Sequence, residues 1–363
     1  MKSGKAENRS TDGMIDYDAN SRAQQNNALG NAEVISELAQ RVSSHADVLN
    51  MTDFGCGPGQ SAIETVKPAL SCWNDCAPNK MVSVCHADQP GNDWNALMQR
   101  IFGDNGYVRG ANPAQVSTSV GSFYERMRPD RSVSLATCFF ASHWLRSPAS
   151  LPAPDTVWFA DLTGEARTRM WQIAERDWIR FLRLRAEELR PDGYLFVSTI
   201  GAAPDKGEVN GTAASGRTLY RAMQDVTSSM TEDGLLDRKA SEAFLFGLWF
   251  MTAEEARSPF EIHADLNEAY EIDTIEVVPD QNGDIFADCI DEPDLYAQNY
   301  AGYTRAFAAS SLRHQLFRPS ETTKRTAEAL ETEFFKRYEA LYKEKTSALA
   351  LEQWHLNVIL RRR

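Results

Sequence analysis

The 363-residue chain predicts an α/β protein: a Rossmann-like, seven-stranded, mostly parallel sheet with an inserted α-helical cap. Three observations carry this. Short apolar segments alternate with helical ones as far as residue 200, the βαβ pattern of a sheet covered on both faces. The first strand runs into a glycine-rich turn, Gly55-Cys56-Gly57-Pro58-Gly59, which lets backbone turn sharply and approach a ligand closely. Beyond residue 200 the alternation breaks, and extra helical sequence precedes two late strands.

In chain order, residues 1–13 are polar, lack the apolar stretch of a signal peptide and are expected to form a disordered leader. Residues 20–44 predict an amphipathic helix, with Leu29, Val34, Ile35, Leu38 and Val42 on one face. Strands are expected at 47–54, 81–86, 115–120 and 132–139, with a helix at 60–70 after the glycine turn. A long amphipathic helix over 164–190 is stopped by Pro191-Asp192-Gly193, and a fifth strand follows at 194–200. Strands at 271–278 and 355–360 complete the seven. The core is thus expected to comprise 14–205, 268–284 and 331–363. The cap, 206–267 and 285–330, would cover the carboxyl edge of the sheet, where open α/β folds bind ligands.

A formal charge of -13 argues against nucleic acid as a partner and requires any anionic ligand to be attracted locally. No apolar run approaches the ~20 residues of a membrane span, so no membrane partner is expected and the protein is assigned to the cytoplasm. The six cysteines read as reduced thiols. Cys72, Cys76, Cys85 and His86 supply only one tight pair, and the last two would face opposite sides of a strand, so no metal site is expected.

The turn is not a dinucleotide fingerprint, because Gln60 and Ser61 follow Gly59, and it lacks a phosphate-binding lysine. An acid preceding it, Asp53, suits the cationic amino-acid end of S-adenosylmethionine. A second acid at the end of strand two, Asp88, suits ribose hydroxyls; its separation, 88 − 53 = 35 residues, exceeds the ~20 of the dinucleotide fold.

Four further stretches act together: Tyr17-Asp18-Ala19-Asn20-Ser21-Arg22-Ala23-Gln24, Asp88-Gln89-Pro90-Gly91-Asn92-Asp93-Trp94-Asn95, Gly121-Ser122-Phe123-Tyr124 and Phe140-Ala141-Ser142-His143-Trp144-Leu145. In this order and spacing the chain resembles the SABATH methyltransferases, named for salicylic acid, benzoic acid and theobromine members. The resemblance is continuous over about 15–200 and looser afterwards. It implies a methyltransferase core with a helical cap, commonly dimeric. By position it implies that Tyr17, Ser21, Asp53, Gly55, Gly57, Asp88, Gln89, Ser122 and Phe123 bind S-adenosylmethionine. Gln24 and Trp144 would be the catalytic pair that hydrogen-bonds the substrate carboxylate, with Phe139, Phe140, His143 and Trp249 beside the substrate. The chain departs from the family's D-L-G-C-S-S-G-P turn, has Phe140 where tyrosine is frequent, and has Gln89 where leucine is usual.

The implied reaction forms the methyl ester of a small acid, aromatic by preference, with one or two carboxylates; no Mg²⁺ requirement is predicted. A carboxylic acid of pKa near ~4 is already ionised at pH 7, so no general base is needed. Alternatives stay open: N-methylation of a xanthine-like heterocycle, or a non-catalytic scaffold. Trp144 also reads as core, His143 as a satisfied buried histidine and 244–250 as plain core. Arg22 and Arg146 read as surface charges that would meet a second carboxylate only by facing the pocket.

Overall fold

The structure, a computed structural model, describes residues 22–109, 114–147, 151–154, 156–204, 212–318 and 325–363. The expected leader, Tyr17 and Ser21 therefore lie outside the described residues. The sheet contains β1 (Val48–Phe54), β2 (Met81–Asp88), β3 (Gln115–Val120), β4 (Val133–Phe139), β5 (Leu189–Pro204), β6 (Thr212–Ala214), β7 (Tyr270–Pro279) and β8 (Trp354–Arg362). Seven of them run in the order β3-β2-β1-β4-β5-β8-β7, and the short β6 pairs with β5. β1 to β5 are mutually parallel, whereas β8 lies antiparallel between β5 and β7. All seven residues of β4 are buried, as a central strand covered on both faces requires.

The helices are α1 (Arg22–Gly30), α2 (Ala32–Ser43), α3 (Gln60–Cys76), α4 (Trp94–Ile101), α5 (Gly164–Glu188), α6 (Arg217–Glu232), α7 (Arg238–Ala243), α8 (Ala253–Ile262), α9 (Ala264–Ala269), α10 (Pro293–Ser311) and α11 (Ala327–Lys345). None is long and apolar enough to cross a membrane among the described residues. One core cluster gathers residues of α2, α3 and α4 against the sheet; the other gathers α5, α6, α8, α10 and α11.

Three details differ from expectation. The first helix divides at Gly30–Asn31: glycine is a poor helix former, and the Asn31 side chain donates to the Asn27 carbonyl (2.8 Å). Pro191-Asp192-Gly193 does not precede the fifth strand but lies inside it. Leu189 already pairs with Val133, pairing resumes at Tyr194 with Leu135, and Asp192 takes a left-handed φ of 62° in the intervening bulge. Finally, α8 and α9, within the expected cap, also pack on α5 and β7.

Candidate active site

Two adjoining cavities lie at the carboxyl ends of the strands. The larger is an open cleft of about 1180 Å³, walled by Gly55, Gly57, Asp88, Gln89, Ser122 and Phe123, with Phe139 on its inner side. The smaller, also open to solvent, spans about 500 Å³ and is largely apolar, with Phe140, Leu219, Tyr220, Phe250, Phe307 and Leu351 among its walls. α6 contributes Leu219 and Tyr220, and α10 contributes Tyr303 and Phe307.

The cleft is built by the turn after β1. Gly55 adopts φ +76°, and a Cβ there would sit 2.4 Å from the Ala141 Cβ, so only glycine lets β1 leave the sheet at this point. Gly57 donates its N–H to the Asp88 Oδ2 (2.7 Å), and Gln89 donates to Oδ1 (2.7 Å). Burial nonetheless raises the Asp88 carboxyl above its usual range, against these two bonds. Asp53 lines neither cavity. It is buried behind the turn, where Thr137 donates to its Oδ1 (2.9 Å) and His86 lies 3.7 Å from Oδ2.

Ser122 and Phe123 are held from beneath by a buried ion pair that the sequence did not single out. Arg185 Nε meets Glu188 Oε2 at 2.8 Å, with both side chains essentially inaccessible. Arg185 also donates to the Phe123 carbonyl (2.8 Å) and lies 4.0 Å from the centre of the Phe54 ring. Glu188 Oε1 accepts the backbone N–H groups of Met127 and Arg128. The loop after β3 is thereby tied to the end of β1.

Gln24, Phe140 and Trp144 line both cavities. Phe140 immediately follows β4 with a left-handed φ of 51°, a conformation that costs a β-carbon residue about 1–2 kcal/mol. The Trp144 carbonyl accepts from the Tyr124 hydroxyl (2.6 Å), and its backbone bridges Leu248. Gln24 rides on α1, which is anchored one turn later. There Asn27 Nδ2 donates to Ser198 Oγ (2.8 Å) and to His355 Nδ1 (2.7 Å). Since Asn27 is the donor, His355 Nδ1 accepts, and its proton belongs on Nε2, which faces Asp280 Oδ2 at 3.4 Å.

His143 lines the smaller cavity and meets Thr199 Oγ1 at 2.8 Å; burial pushes its pKa down to about 3, so the ring is neutral. Trp249, expected beside the substrate, lines neither cavity. Its indole N–H donates to Glu255 (3.1 Å), and its ring packs on Phe159 and Trp171 with Arg167 above it. Phe250, the next residue, faces the smaller cavity instead. Arg22 pairs with Asp288, and Arg146 stands at the cleft, so neither lines the smaller cavity.

The family pattern described as SAM dependent carboxyl methyltransferase matches residues 5–363. The chain belongs to this family. It uses S-adenosylmethionine as methyl donor and acts on small carboxylic acids. Among relatives, gibberellic acid methyltransferase 1 of Arabidopsis thaliana is 23% identical over 313 residues, 78% of this chain and 80% of the relative. Anthranilate O-methyltransferase 2 of Zea mays is 23% identical over 351 residues, 89% and 92% of the two chains. The solved structure of loganic acid methyltransferase with SAH superposes at a TM-score of 0.76 with 17% identity, covering 97% of this chain and 99% of that one. The Rossmann-like methyltransferase sheet and the SABATH membership expected from the sequence are thus both met.

Proposed function

We propose that this carboxyl methyltransferase esterifies a small, largely apolar monocarboxylic acid, gripped by Gln24 and Trp144 where the two cavities meet. The observation that carries the reading is that these two donors, with Phe140, are common to both cavities. A side-chain amide and an indole N–H can hold one carboxylate oxygen while leaving the other free to attack. The Trp144 indole N–H donates to none of the described residues and is available for that task. No lysine or arginine is among the described residues of the smaller cavity, which favours one carboxylate over two.

S-adenosylmethionine, bound in the cleft, supplies an electrophilic methyl group. Asp88 suits its ribose hydroxyls because, after two backbone bonds, the carboxylate keeps lone pairs toward the cleft. Ser122 and Phe123 suit its adenine, and Gly55 and Gly57 leave room for its amino-acid end. The protein's own work is alignment and exclusion of water: holding two reacting atoms ~3 Å apart is worth several kcal/mol. The neutral His143 neither protonates the acid nor serves as a base for it. Residues 206–267 and 285–330 are read as the cap and the protein as cytoplasmic; the family resemblance suggests a homodimer, which equilibrium sedimentation checks.

The test is methyl transfer from labelled S-adenosylmethionine to a panel of aromatic, terpenoid and fatty acids, with xanthines as controls. A base-labile ester is expected. Trp144→Ala and Gln24→Ala should each lower kcat/KM by roughly 10–1000-fold, the scale of lost buried hydrogen bonds, while S-adenosylmethionine binding is retained. A base-stable product, or near-normal turnover in both variants, would overturn the reading.

A further inference from the structure

α1 carries one of the two carboxylate donors, yet little apolar surface holds the helix in place. It buries only Ala23, Asn27 and Ala28, two of them bearing nothing beyond a β-carbon. At its start Arg22 pairs with exposed Asp288 and donates to the Ile285 carbonyl, an attachment to a loop rather than to the sheet. Gln24 and Asn27 are three residues apart and share a face, so the polar bonds of Asn27 set where Gln24 stands. Those bonds reach two strands. Ser198 lies in β5, and His355 is the second residue of β8, paired with Ile200 on one side and Val278 on the other.

Each proton of this anchor has one destination. Ser198 donates to Asn357 Oδ1 (2.7 Å), so its oxygen only accepts from Asn27 (2.8 Å) and Asn31 (3.1 Å). Asn27 therefore presents Nδ2, and its second N–H goes to His355 Nδ1 (2.7 Å), which must be unprotonated. The ring proton then belongs on Nε2, 3.4 Å from Asp280 Oδ2. Both atoms are buried, and neither has a hydrogen-bond partner elsewhere. Asp280 Oδ1 is committed, accepting from the backbone and side-chain N–H groups of Asn282 (2.9 and 3.0 Å). The His355 ring also stands edge to face with that of Phe140, centroids 5.5 Å apart. His355 thus meets the anchor of one residue common to both cavities and the ring of another.

We propose that Asp280 and His355 are positioning residues for methyl transfer. The carboxylate keeps the ring proton on Nε2, so that Nδ1 stays free to hold Asn27 and, through it, Gln24, while the ring fixes Phe140 at the junction of the cavities. Neither residue is among the walls of either cavity, so both act through others. A carboxylate suits this task where an amide does not. An amide at position 280 would turn its oxygen to the two Asn282 donors and its NH₂ to Nε2. The ring proton would then move to Nδ1, where it opposes the Asn27 N–H. The inference rests on the carboxylate grip by Gln24.

The experiment uses the whole enzyme with labelled S-adenosylmethionine and benzoic, cinnamic, geranic and octanoic acids as acceptors. On the acids that are turned over, Asp280→Asn should lower kcat by about tenfold, the scale of a misplaced positioning group. Its affinity for S-adenosylmethionine, by calorimetry, should stay within about twofold, because no residue of the relay lines the cleft. His355→Asn keeps an acceptor near the place of Nδ1 and should retain more kcat than His355→Leu, the reverse of the order that apolar packing would give. Heteronuclear NMR of the imidazole nitrogens at about pH 8, where histidine is ordinarily neutral, should find the wild-type proton on Nε2 and the Asp280→Asn proton on Nδ1. Should Asp280→Asn fail to fold, the two His355 variants and the wild-type proton assignment still decide. A wild-type proton on Nδ1 overturns the inference. So does normal kcat in Asp280→Asn, or His355→Leu matching His355→Asn. A parallel loss of cofactor affinity would make the pair a general support of the fold and also overturn it. If it fails in any of these ways while Gln24→Ala and Trp144→Ala remain impaired, the carboxylate grip still stands. Silence of the wild type on every acid removes the carboxylate reading and this one with it.

Discussion

His143 gives a prediction whose size follows from its surroundings. The ring is buried, meets Thr199 Oγ1 at 2.8 Å, and has its pKa pushed from 6.5 to about 3 by loss of solvent. The folded state therefore resists a proton that the unfolded chain accepts near pH ~6.5. Protonation draws the equilibrium toward the unfolded chain, so the stability linked to this residue is intact above pH 6.5 and is lost progressively as pH falls toward about 3. Between pH 7 and pH 5 the unfolded ring goes from mostly neutral to almost fully charged while the folded ring stays neutral. At 1.36 kcal/mol per unit this costs about 2 kcal/mol. His143→Asn keeps a polar atom near the position of Nδ1 and removes the titration. Urea unfolding of both proteins at pH 7, 6 and 5, followed by far-UV circular dichroism, isolates the term, since every other titrating group is common to both. The stability gap between wild type and variant should shift by about 2 kcal/mol in the variant's favour as pH drops. A gap constant to within about 0.5 kcal/mol would refute the reasoning, because a solvated, freely protonated ring is the state that leaves no slope.

Other perturbations follow from the geometry. Gly55→Ala combines left-handed strain with a 2.4 Å clash against Ala141, and should destabilise by about 2–5 kcal/mol and abolish S-adenosylmethionine binding by calorimetry. Asn27→Ala unties α1 from Ser198 and His355; kcat should fall by about tenfold or more through misplacement of Gln24, with S-adenosylmethionine affinity nearly unchanged. A parallel loss of cofactor affinity would contradict that role. Glu188→Gln leaves the Arg185 charge buried without its partner and should cost about 3–5 kcal/mol, whereas Arg185→Met combined with Glu188→Leu should recover much of that in chemical unfolding.

The glycine turn was legible because it is a local pattern with a physical reason, and the resemblance pointed to Gln24 and Trp144, which both line the two cavities. Most strands were legible for the same cause, through apolar runs bounded by turn residues. Trp249 was misplaced by one residue. In an extended segment neighbouring side chains point oppositely, so a cluster of aromatics names the region and not the face, and Phe250 took the cavity instead. The Asn27–Ser198–His355 anchor joins residues up to 328 positions apart, and no periodicity links them. Arg185 and Glu188 were not singled out in the sequence, because beyond each other their partners are backbone groups of the loop after β3, invisible to a helical pattern. Pro191-Asp192-Gly193 looks like a terminator, yet the flanking strand pairs on both sides of it.

The insertion of β8 between β5 and β7 has a consequence for how the protein is made. β5 ends at Pro204 and its neighbour begins at Trp354, so 354 − 204 = 150 residues separate two adjacent strands. At about 5–20 residues per second, a ribosome needs roughly 8–30 s to cover that distance. Throughout that interval β5 offers an unpaired edge flanked by Leu195 and Val197, the kind of template that recruits other nascent chains. α1, synthesised first, waits longer still for His355, which comes 355 − 30 = 325 residues after its end. Slowing translation between residues 204 and 354 should therefore lower the soluble yield of this enzyme more than slowing it before β5 does.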